Sequence, residues 1–315
     1  ENMVLKLLTH LLLRKYDDLF CDNLYSFRPG RSAKDAIRRL VRIPGIQQSY
    51  SYKVDVSNYF NSIPVAMLIP KLREVTEDDP ALFLFLKELL EEPRVIDRDQ
   101  IREEEKGIMA GTPLASFYAN LYLRELDQWF YDRDIPYSRY SDDIIAFSDS
   151  PEGVYAHAAA IREFLNSKEL AVNPSKEEFR SPNQGFVFLG FSVSGSAIDI
   201  APATVTKLKQ KMRRKTRALK RWQKRGDLPG ERAAKAFIRI FNRKLLEGPL
   251  DNELTWAYWF FSVITTTDSL HVIDQYAQEC LRYLISGKRN KGRFSVRYED
   301  LKRLGYRNLV HAYFA

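Results

Sequence analysis

At 315 residues, with 45% apolar and 13% aromatic side chains, the chain can bury one large or two ordinary cores, which excludes an intrinsically disordered protein. The formal net charge of +8 conceals a division: residues 201–315 hold 25 Lys and Arg against 10 Asp and Glu, a net of +15, leaving the rest at −7. No run approaches the roughly 18 apolar residues of a membrane span, and the two cysteines and four scattered histidines make neither a disulfide framework nor a zinc site, so the chain reads as reduced and cytoplasmic.

An acidic body joined to a strongly basic last third predicts metal chemistry in the first part and a grip on a polyanion in the second. Residues 2–20 place Val4, Leu5, Leu8, Leu11 and Leu12 at helical spacing. Tyr25–Ser32 (Tyr-Ser-Phe-Arg-Pro-Gly-Arg-Ser) is a loop by its Pro-Gly pair, and Ser32 is placed to cap a helix over Lys34–Val41. Arg28 and Arg31 within it are open to two readings, as contacts to a phosphate or nucleotide and as structural ion-pair partners. Tyr50–Val56 alternates and is β-branched, which predicts a strand delivering Asp55 at its C-terminal end. Residues 74–105 carry 12 acidic against 4 basic residues and, with Glu103–Glu105, read as a solvated loop rather than a metal site. Gly107–Leu126 opens with Gly-Thr-Pro and continues as an apolar run, a loop feeding a buried helix.

The stretch from Tyr137 to Ser148 has aromatic and β-branched flanks around Asp142-Asp143, which predicts two short strands joined by a tight turn. Adjacent like charges at such a turn repel and need water or a cation, and a divalent metal removes that cost. Glu152–Leu165 follows as an amphipathic helix, then Asn173-Pro-Ser-Lys176, then Phe186–Phe191 as an alternating strand with a tight glycine. From Ala201 the pattern turns helical. Thr204 is placed to cap a segment with Val205, Leu208, Met212, Leu219 and Trp222 on one face, and 11 Lys and Arg fill the rest between Lys207 and Arg225. Helices are predicted over Ala233–Leu246 and Leu270–Leu284, with a closing helix pair in Tyr298–Phe314.

Five of these stretches, in this order, resemble the motifs of bacterial reverse transcriptases of the group II intron and retron lineage. Phe27–Ser32 is similar to their Phe-Arg-Pro-Gly-Arg-Ser block, and Asp55–Phe60 to the palm motif that carries the first carboxylate. Gly107–Leu123 resembles the block that supports the templating base and incoming nucleotide. Tyr140–Asp143 is similar to the Tyr-x-Asp-Asp signature, and Asn173–Phe191 to the two motifs that follow it. The resemblance implies an α+β fold. Residues 1–200 would form a right-hand fingers and palm domain with an antiparallel sheet backed by helices, and residues 201–315 an all-helical basic thumb. The Lys and Arg that this family's fingers place against the triphosphate are expected upstream of Glu1.

The same resemblance implies roles. Asp55, Asp142, Asp143 and the backbone carbonyl of Val56 would hold two Mg²⁺, with Mn²⁺ as a substitute, and Lys176 would act as a general acid near the leaving pyrophosphate, with a plain surface lysine as the alternative. Phe60, Val56, Gly111, Tyr140, Arg28 and Arg31 would line the nucleotide site. Phe188, Leu189 and Gly190 would grip the primer end. Lys207, Lys211, Arg214, Lys215 and Arg221 would hold the duplex. Partners implied are an RNA template, in particular a cognate non-coding RNA, the DNA product and dNTPs, with no membrane and with self-association left open. The chain departs from the family at Ala110, Gly111, Ala115 and Ser116, where relatives carry Gln-Gly-x-x-x-Ser-Pro, and it lacks retron and diversity-generating signatures. Its compact layout and basic Leu-Gly-Tyr-Arg-Asn-Leu tail look most like the phage-defence reverse transcriptases. Two rivals are an RNA-dependent RNA polymerase, which shares the carboxylates, and a non-catalytic RNA-binding scaffold, which has no need of them.

Overall fold

The strand that delivers Asp55 sits inside a sheet at the heart of the first of two units. The computed structural model describes residues 2–92, 94–97, 100–103, 107–108, 112–247, 255–288, 290 and 292–315. The units span residues 1–189 and 190–315. The first begins with helix α1 (Asn2–Lys15), crosses the Pro-Gly loop and enters helix α2 (Ala33–Arg42). Ser32 precedes α2 as expected, but its hydroxyl donates to Asp35 Oδ2 at 2.5 Å instead of accepting from the free N–H groups of the helix. Strand β1 (Tyr50–Asp55) is followed by the single turn α3 (Tyr59–Ser62) and helices α4 (Val65–Val75) and α5 (Pro80–Glu91).

Helix α5 corrects the reading of residues 74–105 as a solvated loop. Asp79 caps it by accepting from the Leu82 N–H at 3.0 Å, and Pro80 takes the first turn. Phe83, Leu86 and Leu90 line its buried face, while Glu88 and Glu91 point to solvent. After it, β2 (Arg94–Asp97) and β3 (Gln100–Glu103) pair as an antiparallel hairpin. The acid count hid a capped amphipathic helix whose apolar spacing was present all along. Glu104 and Glu105 lie outside the described residues.

The buried helix predicted after Gly-Thr-Pro is α6 (Ala115–Tyr122), which continues into α7 (Arg124–Tyr131). Strands β4 (Tyr137–Tyr140) and β5 (Asp143–Ser148) form the expected hairpin, and helix α8 (Pro151–Ser167) follows. With β6 (Glu178–Arg180) they make one sheet in the order β4-β5-β1-β6, in which β1 pairs antiparallel to both neighbours. Val54, Ile144 and Ala146 from the sheet pack with Phe117, Leu121, Phe130, Ile161 and Leu165 from the helices in one core. Antiparallel strands backed by helices on an apolar face are the expected architecture.

The last strand of this unit, β7 (Phe186–Phe188), stops three residues short of the predicted Phe191. Leu189 and Gly190 both take positive φ, 50° and 86°, and the extended run cannot continue through them. The second unit therefore starts before the change of character at Ala201, with a hairpin of β8 (Phe191–Ser194) and β9 (Ala197–Ile200). Phe191 packs on Phe260 with ring centroids 5.0 Å apart, and the Thr265 N–H donates to the Ile198 carbonyl, so the hairpin belongs to this unit.

Helices α9 (Pro202–Arg225), α10 (Gly230–Leu245) and α11 (Asp268–Ser286) form its body. Thr204 falls inside the first turn of α9 rather than capping it, because Pro202 already opens the helix. Val205, Met212 and Leu219 are buried as predicted, and Trp222 remains 38% exposed. A Cβ on Gly230 would sit 2.5 Å from the Ile285 carbonyl oxygen, so α10 enters the bundle against α11 at a distance only glycine permits. The closing helices are α12 (Gly292–Ser295), α13 (Tyr298–Arg303) and α14 (Leu309–Phe314), the last of them anchored by buried Asp274. Its carboxylate accepts from the Tyr306 hydroxyl and from the first free N–H groups of α14, at Leu309 and Val310. Among the described residues no helix is long and apolar enough to cross a membrane.

Candidate active site

Three strand ends bring the carboxylates together. Asp55 closes β1, and in the β1–β5 pairing it lies directly opposite Asp143. The hairpin between them turns at Ser141 and Asp142, with Tyr140 paired to Asp143. Only Ser141 of the two turn residues has a positive φ, 60°, the pattern of a type II′ hairpin. The Val56 N–H then donates to the Asp142 carbonyl at 3.1 Å, which ties the turn to the end of β1. Like charges facing each other across an antiparallel pair are destabilising. Here three of them converge: one carboxylate oxygen from each of Asp55, Asp142 and Asp143 lies within 4.8 Å of the others.

Burial sharpens the conflict. Asp55 is only 5% exposed. Burial and the neighbouring Asp142 and Asp55 charges push the Asp143 carboxyl up to about 6, and burial, with Asp55 adding, raises Asp142 as well. Lys176 offsets part of this charge. Its Nζ sits 2.7 Å from Asp55 Oδ2, and that hydrogen bond raises the lysine above its ordinary value. A site of three hard oxygen donors with net negative charge fits Mg²⁺ or Mn²⁺ and offers nothing to a softer metal.

A buried polar frame holds the hairpin, and the sequence reading missed it. Arg139 has no exposed side-chain surface; its guanidinium pairs with Asp127 at 2.5 and 2.8 Å. The same group donates to the carbonyls of Ser141 and Asn120, at 3.2 Å each, so it braces the strained turn directly. Asn120 in turn exchanges two hydrogen bonds with Ser26. The signal was available: Asp127 interrupts the apolar stripe Leu123, Leu126, Phe130 of α7, and a charge on a buried face requires a partner.

Phe60 lies on α3, five residues past Asp55. Its neighbour Tyr59 is the core residue, 2% exposed, with its hydroxyl donating to the Ala119 carbonyl at 2.5 Å. Phe60 is only half-buried, and its carbonyl accepts from the Ile108 N–H at 2.9 Å. Gly107, with φ of 95°, lets that loop approach; a Cβ there would meet Asn61 Cα at 2.7 Å. Val56 and Tyr140 flank the carboxylates, and Gly111 lies outside the described residues.

Other expected contacts are spent elsewhere. Arg28 is 6% exposed and bonds Asp17 at 2.8 and 3.0 Å and the Cys21 carbonyl at 2.7 Å, so the structural reading of this residue is the one its geometry supports. A guanidinium with its donors satisfied inside the protein has none left for a phosphate. Arg31 pairs with Asp22 at 2.6 Å over the Tyr25 ring. Phe188 is buried and presents no surface to a primer, whereas Leu189 and Gly190 are partly open.

Residues 2–193, more than half the sequence, match the family described as Reverse transcriptase (RNA-dependent DNA polymerase). The chain belongs to this family. Among curated relatives, Protein YkfC of Escherichia coli (strain K12) is 24% identical over a 208-residue alignment, with 53% of this chain and 53% of that protein covered; the chain thus spans about half the length of that relative. Among solved structures, apo telomerase from Candida tropicalis aligns over 94% of this chain and 51% of its own, at 12% identity and a TM-score of 0.52. Telomerase from Candida tropicalis in complex with a TWJ fragment of telomeric RNA aligns over 94% and 56%, at 10% identity and a TM-score of 0.51. At such identity the likeness concerns the fold.

The second unit carries the cations. Lys207, Lys211, Arg214, Lys215 and Arg221 are exposed on α9, and among the described residues none of them has an ion-pair partner. The first four border a groove of about 1350 Å³ floored by Trp256 and Trp259, whereas Arg221 lies outside it.

The raised Asp143 carboxyl predicts a pH dependence. A carboxyl whose folded pKa exceeds its unfolded value adds stability when protonated, so in the metal-free protein that stability is full below about pH 4 and is lost as pH rises through about 6. Metal binding requires the ionised form, so Mg²⁺ affinity should rise over the same window with release of roughly one proton. Calorimetry in buffers of different ionisation enthalpy measures this. Affinity flat from pH 5 to 7.5, or unchanged proton release in Asp143→Asn, would contradict it.

Proposed function

We propose that the protein is an RNA-directed DNA polymerase that extends a 3′-hydroxyl with dNTPs. The convergence of Asp55, Asp142 and Asp143 in a chain of this family is the observation that carries the reading. Divalent ions held there would activate the 3′-hydroxyl and neutralise the charge developing on the triphosphate and departing pyrophosphate. The protein's own part is positional. β1 and the hairpin hold the carboxylates, Arg139 keeps the Ser141 turn in its strained form, and the Val56 carbonyl would add a ligand beside Asp55. Lys176, which bonds Asp55 in this structure, would turn toward the leaving group and give it a proton. The Asp142→Asn/Asp143→Asn protein should lose polymerisation by on the order of 10³-fold or more. Because it also loses two mutually repelling charges, it should melt no lower than wild type. Primer extension in Mg²⁺ and thermal melts without added divalent metal test both; activity surviving the double substitution removes the polymerase assignment.

Sugar choice separates this reading from an RNA polymerase. Phe60 offers no donor or acceptor to a 2′-hydroxyl, and with Tyr59 filling the core, the half-buried Phe60 ring is free to serve as the wall beneath the incoming sugar. Burying a hydroxyl against it without a partner costs roughly 1–3 kcal/mol, with steric overlap in addition. The enzyme should prefer deoxynucleotides by on the order of 10²-fold or more, and Phe60→Ala should admit ribonucleotides while deoxynucleotide use falls modestly. Single-nucleotide extension with each sugar decides it; equal use of both by wild type favours the RNA polymerase.

The exposed cations of α9 support a grip on an RNA-containing duplex, and the family resemblance of the tail supports a cognate non-coding RNA copied in defence against phage. Replacing Lys211, Arg214 and Lys215 by Ala should flatten the salt dependence of binding by up to about three contacts, at roughly 0.9 each in the logarithmic slope for a B-form duplex. RNA sequenced from purified wild-type protein should be enriched in one transcript and reduced in the variant. An unchanged slope returns α9 to a solvated surface, and bulk cellular RNA in both samples removes the cognate partner.

A further inference from the structure

Phe27 is unusual for its residue type in two ways. Its φ is 58°, in the left-handed region that residues with side chains rarely enter, and its ring is 39% exposed. Both neighbours in the chain are buried and fastened. On one side Ser26 Oγ donates to Asn120 Oδ1 at 3.0 Å, and the Ser26 carbonyl accepts from Asn120 Nδ2 at 2.7 Å. On the other, Arg28 bonds Asp17 and the Cys21 carbonyl. The Tyr25 N–H donates to the Arg139 carbonyl at 3.1 Å, which joins the same loop to the strand leading into Asp142. A turn of this shape is satisfied by glycine or asparagine, so an aromatic held there against its preference points to what the ring does.

The ring meets Phe60. Their centroids are 6.5 Å apart and their planes cross at 77°, an edge-on pair. Phe60 also packs on Tyr59, at 5.6 Å and 61°, and Tyr59 is itself locked to the Ala119 carbonyl. The Phe60 ring thus lies between a fixed core tyrosine and a phenylalanine presented by a clamped loop. Remove Phe27, and one flank of Phe60 is open to solvent.

We propose that Phe27 is a positioning residue for sugar choice: it holds the Phe60 ring in the orientation that excludes a 2′-hydroxyl, so discrimination belongs to the pair. The proposal rests on the reading of Phe60 as the sugar wall. With Phe27 gone, the ring can swing aside, and a ribonucleotide enters without loss of the catalytic carboxylates. Arg28, the next residue in the same loop, would by this account anchor Phe27 rather than touch nucleotide.

Single-nucleotide extension by the full-length protein, read as the ratio of kcat/KM for a deoxynucleotide to that for its ribonucleotide, tests the pair. Phe27→Ala and Phe27→Gly should each lower the ratio by on the order of 10-fold, with deoxynucleotide kcat changing far less. Glycine accepts the left-handed φ, so Phe27→Gly should keep the wild-type melting temperature, which separates lost selectivity from lost folding. In Phe27→Ala/Phe60→Ala the ratio should match that of Phe60→Ala alone, because the first residue acts through the second. If Phe60→Ala relaxes the ratio and neither Phe27 variant does, the positioning role falls and the wall stands. If Phe60→Ala leaves the ratio at wild type, the wall falls and the positioning role with it. A double variant more permissive than Phe60→Ala overturns the pairing.

Discussion

Everything in the first unit answers to one electrostatic problem, the placing of three carboxylates close enough to repel and buried enough to feel it. Asp55 and Asp143 face each other across a strand pair, and Asp142 closes the triangle from the turn. Left alone, such a cluster would be relieved by a shift of register or by an opened turn. Neither is available. A one-residue slip of β1 against β5 would move Val54 and Ile144 out of the core and drag every side chain to the wrong face. The turn cannot relax either, because Arg139 is buried beneath it with its charge matched by Asp127 and a hydrogen bond spent on the Ser141 carbonyl. A buried ion pair of this kind is a weak source of net stability but a strong constraint on geometry, since displacing either partner strands the other charge. The core and the ion pair together hold a conflict that Lys176 offsets in part and that a proton on Asp143 or a bound cation relieves further.

Much of this was legible from the residues. Period-two alternation ending at an aspartate, and a double aspartate between aromatic and β-branched runs, are local patterns, and local patterns are what a sequence displays. The frame beneath the hairpin was not read, because Arg139, Asp127, Asn120 and Ser26 are scattered along the chain and meet only in the fold. Arg28 shows the same limit from the other side. Its type and its place in a Pro-Gly loop suit a phosphate as well as they suit Asp17, and only burial chooses between them.

Where the fold departs from expectation, the average composition of a stretch masks its spacing. The acidic stretch around α5 is dominated by its charge, yet Asp79-Pro80 and the buried Phe83, Leu86 and Leu90 spell a capped helix. The strand drawn through Phe186–Phe191 followed its apolar residues across Leu189–Gly190, where two consecutive positive φ angles end it. The boundary expected at Ala201 followed the onset of basic helix, whereas packing assigns the β8–β9 hairpin to the helices that follow it. In each case the side chains that mark the end of an element were present but weighed less than the average around them.

Among the described residues of the same unit, Phe27, Asn58, Asp134, Ser141, Glu169 and Leu189 take positive φ despite having side chains. Ser141 and Asn58 lie within a few residues of the carboxylates or of Phe60, and Phe27 meets Phe60 ring to ring. Two of these are held from outside their own turns, Ser141 by Arg139 and Phe27 by the fastening of Ser26 and Arg28, whereas Asn58 accepts locally from Asn61. Glycine takes such positions without strain, as in the loops at Gly30 and Gly45. Where a side chain persists in the left-handed region, the surroundings must over-determine it, and what they then fix is the direction of that side chain or its neighbour. Around this site the directions fixed are those of Asp142, of the α3 turn that carries Phe60, and of the ring that Phe60 leans on.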